Sequence, residues 1–408
     1  MWANWLDPAL LNTVHCMDCI EWMKMLPDNS VDAIVTDPPY ELWFMGKHWD
    51  RTGIAYNVEM RSECLRVLKP GGHLLAFSGT RTYHRMACAI EDAGFEVRDM
   101  IEWVYGSGFP KSLNIGKVTN KFLKTGNASW NGTGDSSNGA LGYSKLQHQQ
   151  WYRADDYSNK HQNKEEITEE LAKQWEWRWT ALKPAHEPIC IARKPLSEKN
   201  VAENCLKWGT GGINIDASRV DYNGEKTPTG SGNKSNGATG IDFHGGNKKE
   251  NNETSPLGRF PANLLHDNSE EVRECFPETK SRCHNPAMGK ANPFGGDNNN
   301  PQEESYFNDS GNAARFFKSI IYQAKADKKD RGKWNNHATV KPTELIKYLI
   351  RMVSREWQTI LDPFMWSWTT AVCCKETLRN YIWYDIVPEH IEIINKRLEN
   401  TTVSLFHS

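Results

Sequence analysis

Two blocks of helix–strand alternation, one at each end of the chain, constrain the fold more than any other feature. Residues 18–26 have helical spacing, and Pro27-Asp28-Asn29-Ser30 breaks it. The apolar run 33–36 reads as a buried strand, 58–68 as a helix closed by Lys69-Pro70-Gly71-Gly72, and 73–78 as a strand. A helix starts near Thr82, Gly94 punctuates it, and 95–105 reads as a strand pair or an extended segment. The second block begins at 336. There 343–354 is amphipathic behind Lys341-Pro342, with Thr343 as a plausible N-cap. Strand 358–361, helix 370–377 and strand 380–384 follow, and Pro388 opens a helix with Ile391, Ile394 and Leu398 on one face. Such alternation specifies an α/β fold with a parallel sheet.

Between the blocks the pattern changes. Residues 126–142, 223–252 and 285–312 are rich in Asn, Gly, Ser and Asp and cannot bury enough apolar area to offset ordering. Patterned islands remain at 175–196, 201–220 and 259–267. The expected organisation is a frame in two pieces, 1–118 and 336–408, around a loop-rich insertion, 119–335. The chain has 49 Lys+Arg against 51 Asp+Glu, so total charge does not announce a polyanion partner. Any such binding needs a local basic face, for which 192–194 and 325–333 are candidates. No apolar run reaches the roughly 18 residues a membrane helix needs, and no apolar signal segment opens the chain, so a soluble cytoplasmic protein is expected. The ten cysteines are expected as free thiols. Neither Cys16/Cys19 nor Cys275/Cys283/His284 completes a zinc pattern, and no metal is expected.

The strand 33–36 ends in Asp37-Pro38-Pro39-Tyr40. Each proline fixes φ and lacks an N–H, leaving carbonyls free to face a ligand. The tetrapeptide resembles motif IV of the amino-group DNA methyltransferases, which methylate N6 of adenine or N4 of cytosine. The segment 360–370 (ILDPFMWSWTT) resembles their motif I, a strand, glycine turn and helix start beside S-adenosylmethionine. Asp385 ends the next strand, about 20 residues on, where an acid suits a ribose diol. Motif IV first, a recognition module next and motif I last is the order of the β class of these enzymes. Supporting stretches are 26–30, 106–112 (GSGFPKS), 182–188 (LKPAHEP) and 336–342 (NHATVKP). The resemblance covers most of 12–400. It implies a Rossmann-like, circularly permuted S-adenosylmethionine-dependent methyltransferase sheet with an inserted recognition module.

The resemblance also implies roles. Asp37 and the Pro38 carbonyl would accept the N–H bonds of the target amine, freeing its lone pair, beside Pro39, with Tyr40 stacked on an extruded base. Asp18, Asp362, Phe364, Trp366, Ser367, Trp368, Thr369 and Asp385 would line the cofactor, with Lys341 and Thr343 of motif X. Asp18 reads equally as a helix N-cap, and Thr343 as a simple cap. Asp at the first position of motif IV goes mostly with adenine N6, and Ser mostly with cytosine N4. The implied partner is double-stranded DNA, and relatives of this class are often dimers.

One departure is systematic. Among 17 tryptophans, Trp366 and Trp368 stand where motif I has its two glycines, and Trp383 stands at another usual glycine. Trp177 and Trp179 look like further cases, and Trp43 a weaker one. Glycine serves such turns because it tolerates φ > 0 and lets a ligand touch the backbone. An indole at 366 or 368 is expected to enter the cofactor space or strain the turn. Three origins stay open: a reassigned codon, an inactivated relative that still binds DNA, or a pocket rebuilt around the indoles.

Overall fold

The computed structural model describes residues 6–42, 48–106, 108, 112–125, 173–222, 257–280, 310–320, 340–364, 369–385, 398 and 401. Trp43, Trp366, Ser367, Trp368, Cys283, His284 and the basic stretch 325–333 lie outside them, as do all but Leu398 of the expected last helix.

The first block gives β1 (Thr13–Cys16), α1 (Cys19–Met25), β2 (Val31–Thr36), α2 (Val58–Val67), β3 (Leu68–Phe77), α3 (Tyr83–Asp92) and β4 (Glu96–Val104), with α4 (Ile115–Thr125) after it. The middle gives β5 (His186–Arg193), α5 (Val201–Trp208), α6 (Ile215–Ser218), β6 (Leu264–His266), α7 (Glu270–Arg273), β7 (Glu278–Lys280), β8 (Ser310–Asn312) and β9 (Lys318–Ser319). The last block gives α8 (Thr343–Val353), β10 (Thr359–Asp362), α9 (Thr369–Glu376) and β11 (Asn380–Asp385).

Among the described residues one large sheet has the order β1-β11-β10-β2-β3-β5-β4-β6-β9. β1, β11, β10, β2 and β3 pair in parallel, and β5 runs antiparallel to β3 and β4. The two ends of the chain therefore build one sheet, meeting at the β1–β11 pair and again at the β10–β2 seam. Asp32 of β2, nearly fully buried, stitches that seam. It accepts the Thr359 N–H at 2.8 Å, Gln358 Nε2 at 3.2 Å and Lys69 Nζ at 2.6 Å. Three donors on one buried carboxylate offset the cost of desolvating it.

Period-two alternation sends side chains to opposite faces. Ile34, Leu74, Leu361 and Ile382 pack under the α1–α2–α3 layer with Trp22, Met60 and Met86. Val35, Phe77, Ile360 and Trp383 pack under α8 and α9 with Leu345, Leu349 and Cys374. The strands are apolar on both faces because both faces are covered. The result is the expected doubly wound, permuted Rossmann-like sheet.

The interval 119–335 is not wholly outside that frame. Its 175–196 island supplies β5, which lies inside the sheet between β3 and β4. Its 259–267 island supplies β6, which extends the sheet beyond β4. The sequence boundary at 118/119 falls within α4. Residues 95–105 form one strand, and β3 starts at Leu68, so Lys69-Pro70-Gly71-Gly72 is strand rather than turn. Glycine is required there. Gly71 has φ 78°, and a Cβ on Gly72 would lie 2.8 Å from the Asp32 carbonyl oxygen. Among the described residues no helix is long and apolar enough to cross a membrane.

The tryptophans divide into two kinds. Trp383 is fully buried, its ring tilted at 43° against Tyr381 with centroids 4.5 Å apart, and its indole N–H has no hydrogen-bond partner. Here the core has closed around the indole. Trp177 and Trp357 instead adopt φ 65° and 66° and are 87% and 68% exposed. A bulky side chain in the left-handed region is a steric outlier, and neither indole is held there by burial. Trp179, half exposed, pairs by a β-bridge with Asn114.

Candidate active site

The order of strands places two acids side by side. Strand order reverses across β10 and β2, and ligands of such sheets bind outside the carboxyl ends of strands at this point. Asp362 is the last residue of β10, and Asp37 follows the last residue of β2.

The loop carrying Asp37 is fixed on both sides. Pro38 and Pro39 are buried. The Thr82 hydroxyl, at the start of α3, donates to the Tyr40 carbonyl at 2.9 Å. The buried Asp50 carboxylate accepts the Glu41 and Leu42 N–H groups at 2.9 and 3.1 Å. Glu41 sits at φ 55°, so this pair of bonds holds the turn that follows the motif.

Lys341 closes the site from the other end of the chain. Its ammonium lies 2.9 Å from Asp37 Oδ2 and 3.3 Å from Glu187 Oε2, with its side chain only 8% exposed. It also sits 5.1 Å from the ring centroids of both Tyr40 and Phe77. The Tyr40 hydroxyl donates to Glu187 Oε2 at 3.1 Å. Glu187 reaches the site because β5 runs antiparallel, bringing its first residues to the end where β2 and β3 finish. The Ser78 N–H bond to the Pro188 carbonyl at 3.0 Å marks that level.

Burial pushes the Asp37 carboxyl above its ordinary range. The Lys341 ammonium pulls it back, and Glu187 adds to the rise. Burial opposes the charge on Lys341, but Asp37 and Glu187 outweigh it and hold the ammonium above the ordinary lysine value. Burial likewise pushes the Tyr40 hydroxyl well up, so it stays protonated and serves as a donor.

On the motif I side, Asp362 Oδ1 accepts the Phe364 N–H at 3.1 Å, and Oδ2 accepts the Thr370 hydroxyl at 2.8 Å. Burial pushes its carboxyl up to about 7 against these bonds, with Asp37 adding to the rise. The Thr369 hydroxyl donates to the Lys341 carbonyl at 3.4 Å. Lys341 thus joins the two halves, its backbone on the motif I helix and its ammonium on motif IV.

The remaining predicted residues fall as follows. Asp18 is exposed and caps α1, with both cap bonds on Oδ1, from Ile20 N–H at 2.9 Å and Glu21 N–H at 3.3 Å. Capping therefore leaves Oδ2 outside those bonds. Asp385 ends β11 opposite Cys16. Thr343 is the first residue of α8 and Pro342 is the cap, so the expected Thr343 N-cap is not formed. Its carbonyl accepts the Cys373 thiol at 3.3 Å. Among the described residues no cluster of His, Cys, Asp and Glu could hold a metal ion. Glu187 is the site residue that sequence reasoning did not single out. Its signal was an acid directly preceding the apolar strand 188–192.

Three acids, Asp362, Asp385 and Asp18, lie at or just past the carboxyl ends of the neighbouring parallel strands β10, β11 and β1. The Asp362 and Asp18 carboxylates there are acceptors of the kind that suits ribose hydroxyls and a ligand ammonium, which fits S-adenosylmethionine.

The chain belongs to the N6_N4_Mtase family of DNA methylases, whose profile matches residues 31–396. S-adenosyl-L-methionine is the cofactor of this family. The chain is similar to the type II methyltransferase M.HpaI of Haemophilus parainfluenzae, 34% identical over 106 residues, 24% of this chain and 33% of that protein. It is similar to the type II methyltransferase M2.DpnII of Streptococcus pneumoniae, 41% identical over 68 residues, 16% of this chain and 25% of that protein. The matched segments thus span about a third and a quarter of those relatives' length. Among solved structures, the M1.HpyAVI–SAM complex aligns over 95% of this chain and 99% of its own, at 16% identity and TM-score 0.40. PvuII DNA methyltransferase (cytosine-N4-specific) aligns over 98% and 94%, at 13% identity and TM-score 0.41.

Proposed function

We propose that this protein methylates DNA at a specific site, moving a methyl group from S-adenosyl-L-methionine to the exocyclic N6 of adenine in double-stranded DNA. The observation that carries this reading is the Asp37 carboxylate at the reversal of strand order. It adjoins the motif I acid Asp362 and is paired at 2.9 Å with the Lys341 ammonium.

An exocyclic amine is a weak nucleophile because its lone pair is delocalised into the ring. Asp37 and the Pro38 carbonyl accept its two N–H bonds and favour the pyramidal amine, whose lone pair then points at the methyl donor. The cofactor supplies the methyl carbon as a sulfonium substituent. On transfer the sulfonium would leave as a neutral thioether, and the proton released by the methylated nitrogen would pass to the Asp37 carboxylate that accepts its N–H. Positioning of amine and methyl in line supplies much of the rate. Tyr40, its hydroxyl tied to Glu187, presents its ring to a base drawn out of the duplex. Asp362, Asp385 and Asp18 hold the cofactor's amino group and ribose.

Trp366 and Trp368 occupy the two glycine positions of the cofactor turn, and they hold cofactor affinity down in the chain as written. The test is labelled S-adenosyl-L-methionine with plasmid DNA, followed by nucleoside analysis. The chain as written and the Trp366→Gly/Trp368→Gly chain are run in parallel. Label in N6-methyladenine from the glycine chain supports the reading. Label in N4-methylcytosine moves the target to cytosine. DNA binding without transfer in both chains defines a DNA-binding relative that is not an enzyme.

A further inference from the structure

Two carboxylates surround one ammonium in the buried site, and the reaction as derived uses only one of them. Glu187 accepts from Tyr40 at 3.1 Å and from Lys341 at 3.3 Å, and both contacts go to the same oxygen, Oε2. Lys341 meanwhile sits at 2.9 Å from Asp37 Oδ2, within the hydrogen-bonding shell a target amine must enter. It also lies against the Tyr40 and Phe77 rings, where a base would stack. The resident ammonium therefore already occupies Asp37 Oδ2, one of the two carboxylate oxygens a target amine could use.

An incoming amine that takes Oδ2 displaces Lys341 from Asp37. A buried ammonium without a counter-charge is costly, so release needs a second carboxylate within reach. Glu187 is already in contact. We propose that Glu187 is a positioning residue of the base site: it receives Lys341 when the target amine takes Asp37, and it holds Tyr40 for stacking meanwhile. With Glu187 neutral, Lys341 has only Asp37 and competes with the substrate for it.

The charged and titratable groups facing Asp37 are Lys341 before α8, Glu187 of β5, Tyr40 of its own loop and Asp362 of β10. Glu187 and Asp362 favour protonation of Asp37, and Lys341 and the Tyr40 bond favour ionisation. Removing the Glu187 charge should therefore ease ionisation of Asp37 while slowing release of Lys341. A residue that merely supports the fold would not produce these opposite signs.

The proposal rests on the methyltransferase reading, and the experiment separates the two. Transfer is first measured in the Trp366→Gly/Trp368→Gly chain, where its absence counts against the reading. In that background Glu187→Gln is expected to lower kcat, approaching about a hundredfold for a misplaced site, with a smaller change in KM for DNA. The acid limb of the kcat/KM profile is expected to move to lower pH. Unchanged kcat, or an acid limb that stays or moves up, overturns the proposal. A second arm needs no turnover and uses the chain as written. The effect of Asp37→Asn on Tm is followed against pH, with and without Glu187→Gln. Coupling predicts that Glu187→Gln shrinks the pH-dependent part of that effect, and an unaltered pH dependence refutes the coupling whether or not the chain turns over.

Discussion

The Lys341 ammonium lies 2.9 Å from the Asp37 carboxylate, although the two residues come from opposite ends of the chain. The contact exists because the β10–β2 seam joins those ends, and because Lys341 precedes the helix that covers the same sheet face. It makes Lys341 the group that draws the motif IV acid back towards ionisation against its burial.

Replacing Lys341 with methionine should therefore destabilise the fold in a pH-dependent way. The Asp37 pKa, already raised by burial, rises further without the ammonium. The folded state then holds its proton more tightly than the unfolded chain, so stability falls as pH rises from the unfolded to the folded pKa. The Tm gap between parent and Lys341→Met should widen as pH rises above the ordinary aspartate range, towards the roughly 3–5 kcal/mol typical of a broken buried pair. A gap independent of pH would contradict this account of the pair.

Asp362 should behave similarly on its own. An ordinary aspartate titrates near 4, and burial pushes this one up to about 7. Below about pH 4 both states hold the proton. Between about 4 and 7 the unfolded chain releases it first, so stability declines as pH rises, and above 7 the loss is complete. Asp362→Asn should remove that decline, worth on the order of 2–4 kcal/mol, so its Tm relative to parent should climb between pH 4 and pH 8. The comparison must be made between the two chains. Buried His73, pushed down to about 4 by burial and by Arg193 and Arg98, gains stability for the fold with rising pH in the same window.

Trp177→Gly and Trp357→Gly should each stabilise the protein. Left-handed φ costs a non-glycine residue about 1–3 kcal/mol. Glycine removes that cost but loses roughly 0.4–1 kcal/mol through the freer unfolded chain. The expected net gain is about 0.5–2 kcal/mol in denaturant unfolding. Alanine at either position keeps the Cβ clash and should give no comparable gain. Trp383→Gly should do the opposite, since emptying a fully buried indole site costs about 3–5 kcal/mol.

The elements legible in the sequence were those with a strong local signal. Periodicity and caps located α1, α2, α3, α8 and α9 to within a residue or two, and the acid-ended strands β2 and β10 marked the site. Motif order foretold that the two ends share one sheet. What sequence could not show is non-local. β5 lies in a stretch flanked by loop-like segments, and its place inside the sheet depends on pairing with β3 and β4 rather than on its own pattern. Glu187 was overlooked for the same reason, because its role is visible only when that strand is seated. The Lys341 ammonium also meets the motif IV acid, a contact between chain ends that no local pattern reveals. Trp177 was flagged as a glycine position from local pattern, whereas Trp357 became evident only from its backbone conformation.

The central claim is that Asp37 receives the amine that is methylated. It is tested most directly by comparing Trp366→Gly/Trp368→Gly with the same chain carrying Asp37→Ala. Methyl transfer to plasmid DNA and calorimetric binding of S-adenosyl-L-methionine are measured on both. The account predicts N6-methyladenine from the first chain, none from the second, and cofactor binding retained in both. Transfer that survives Asp37→Ala would contradict it.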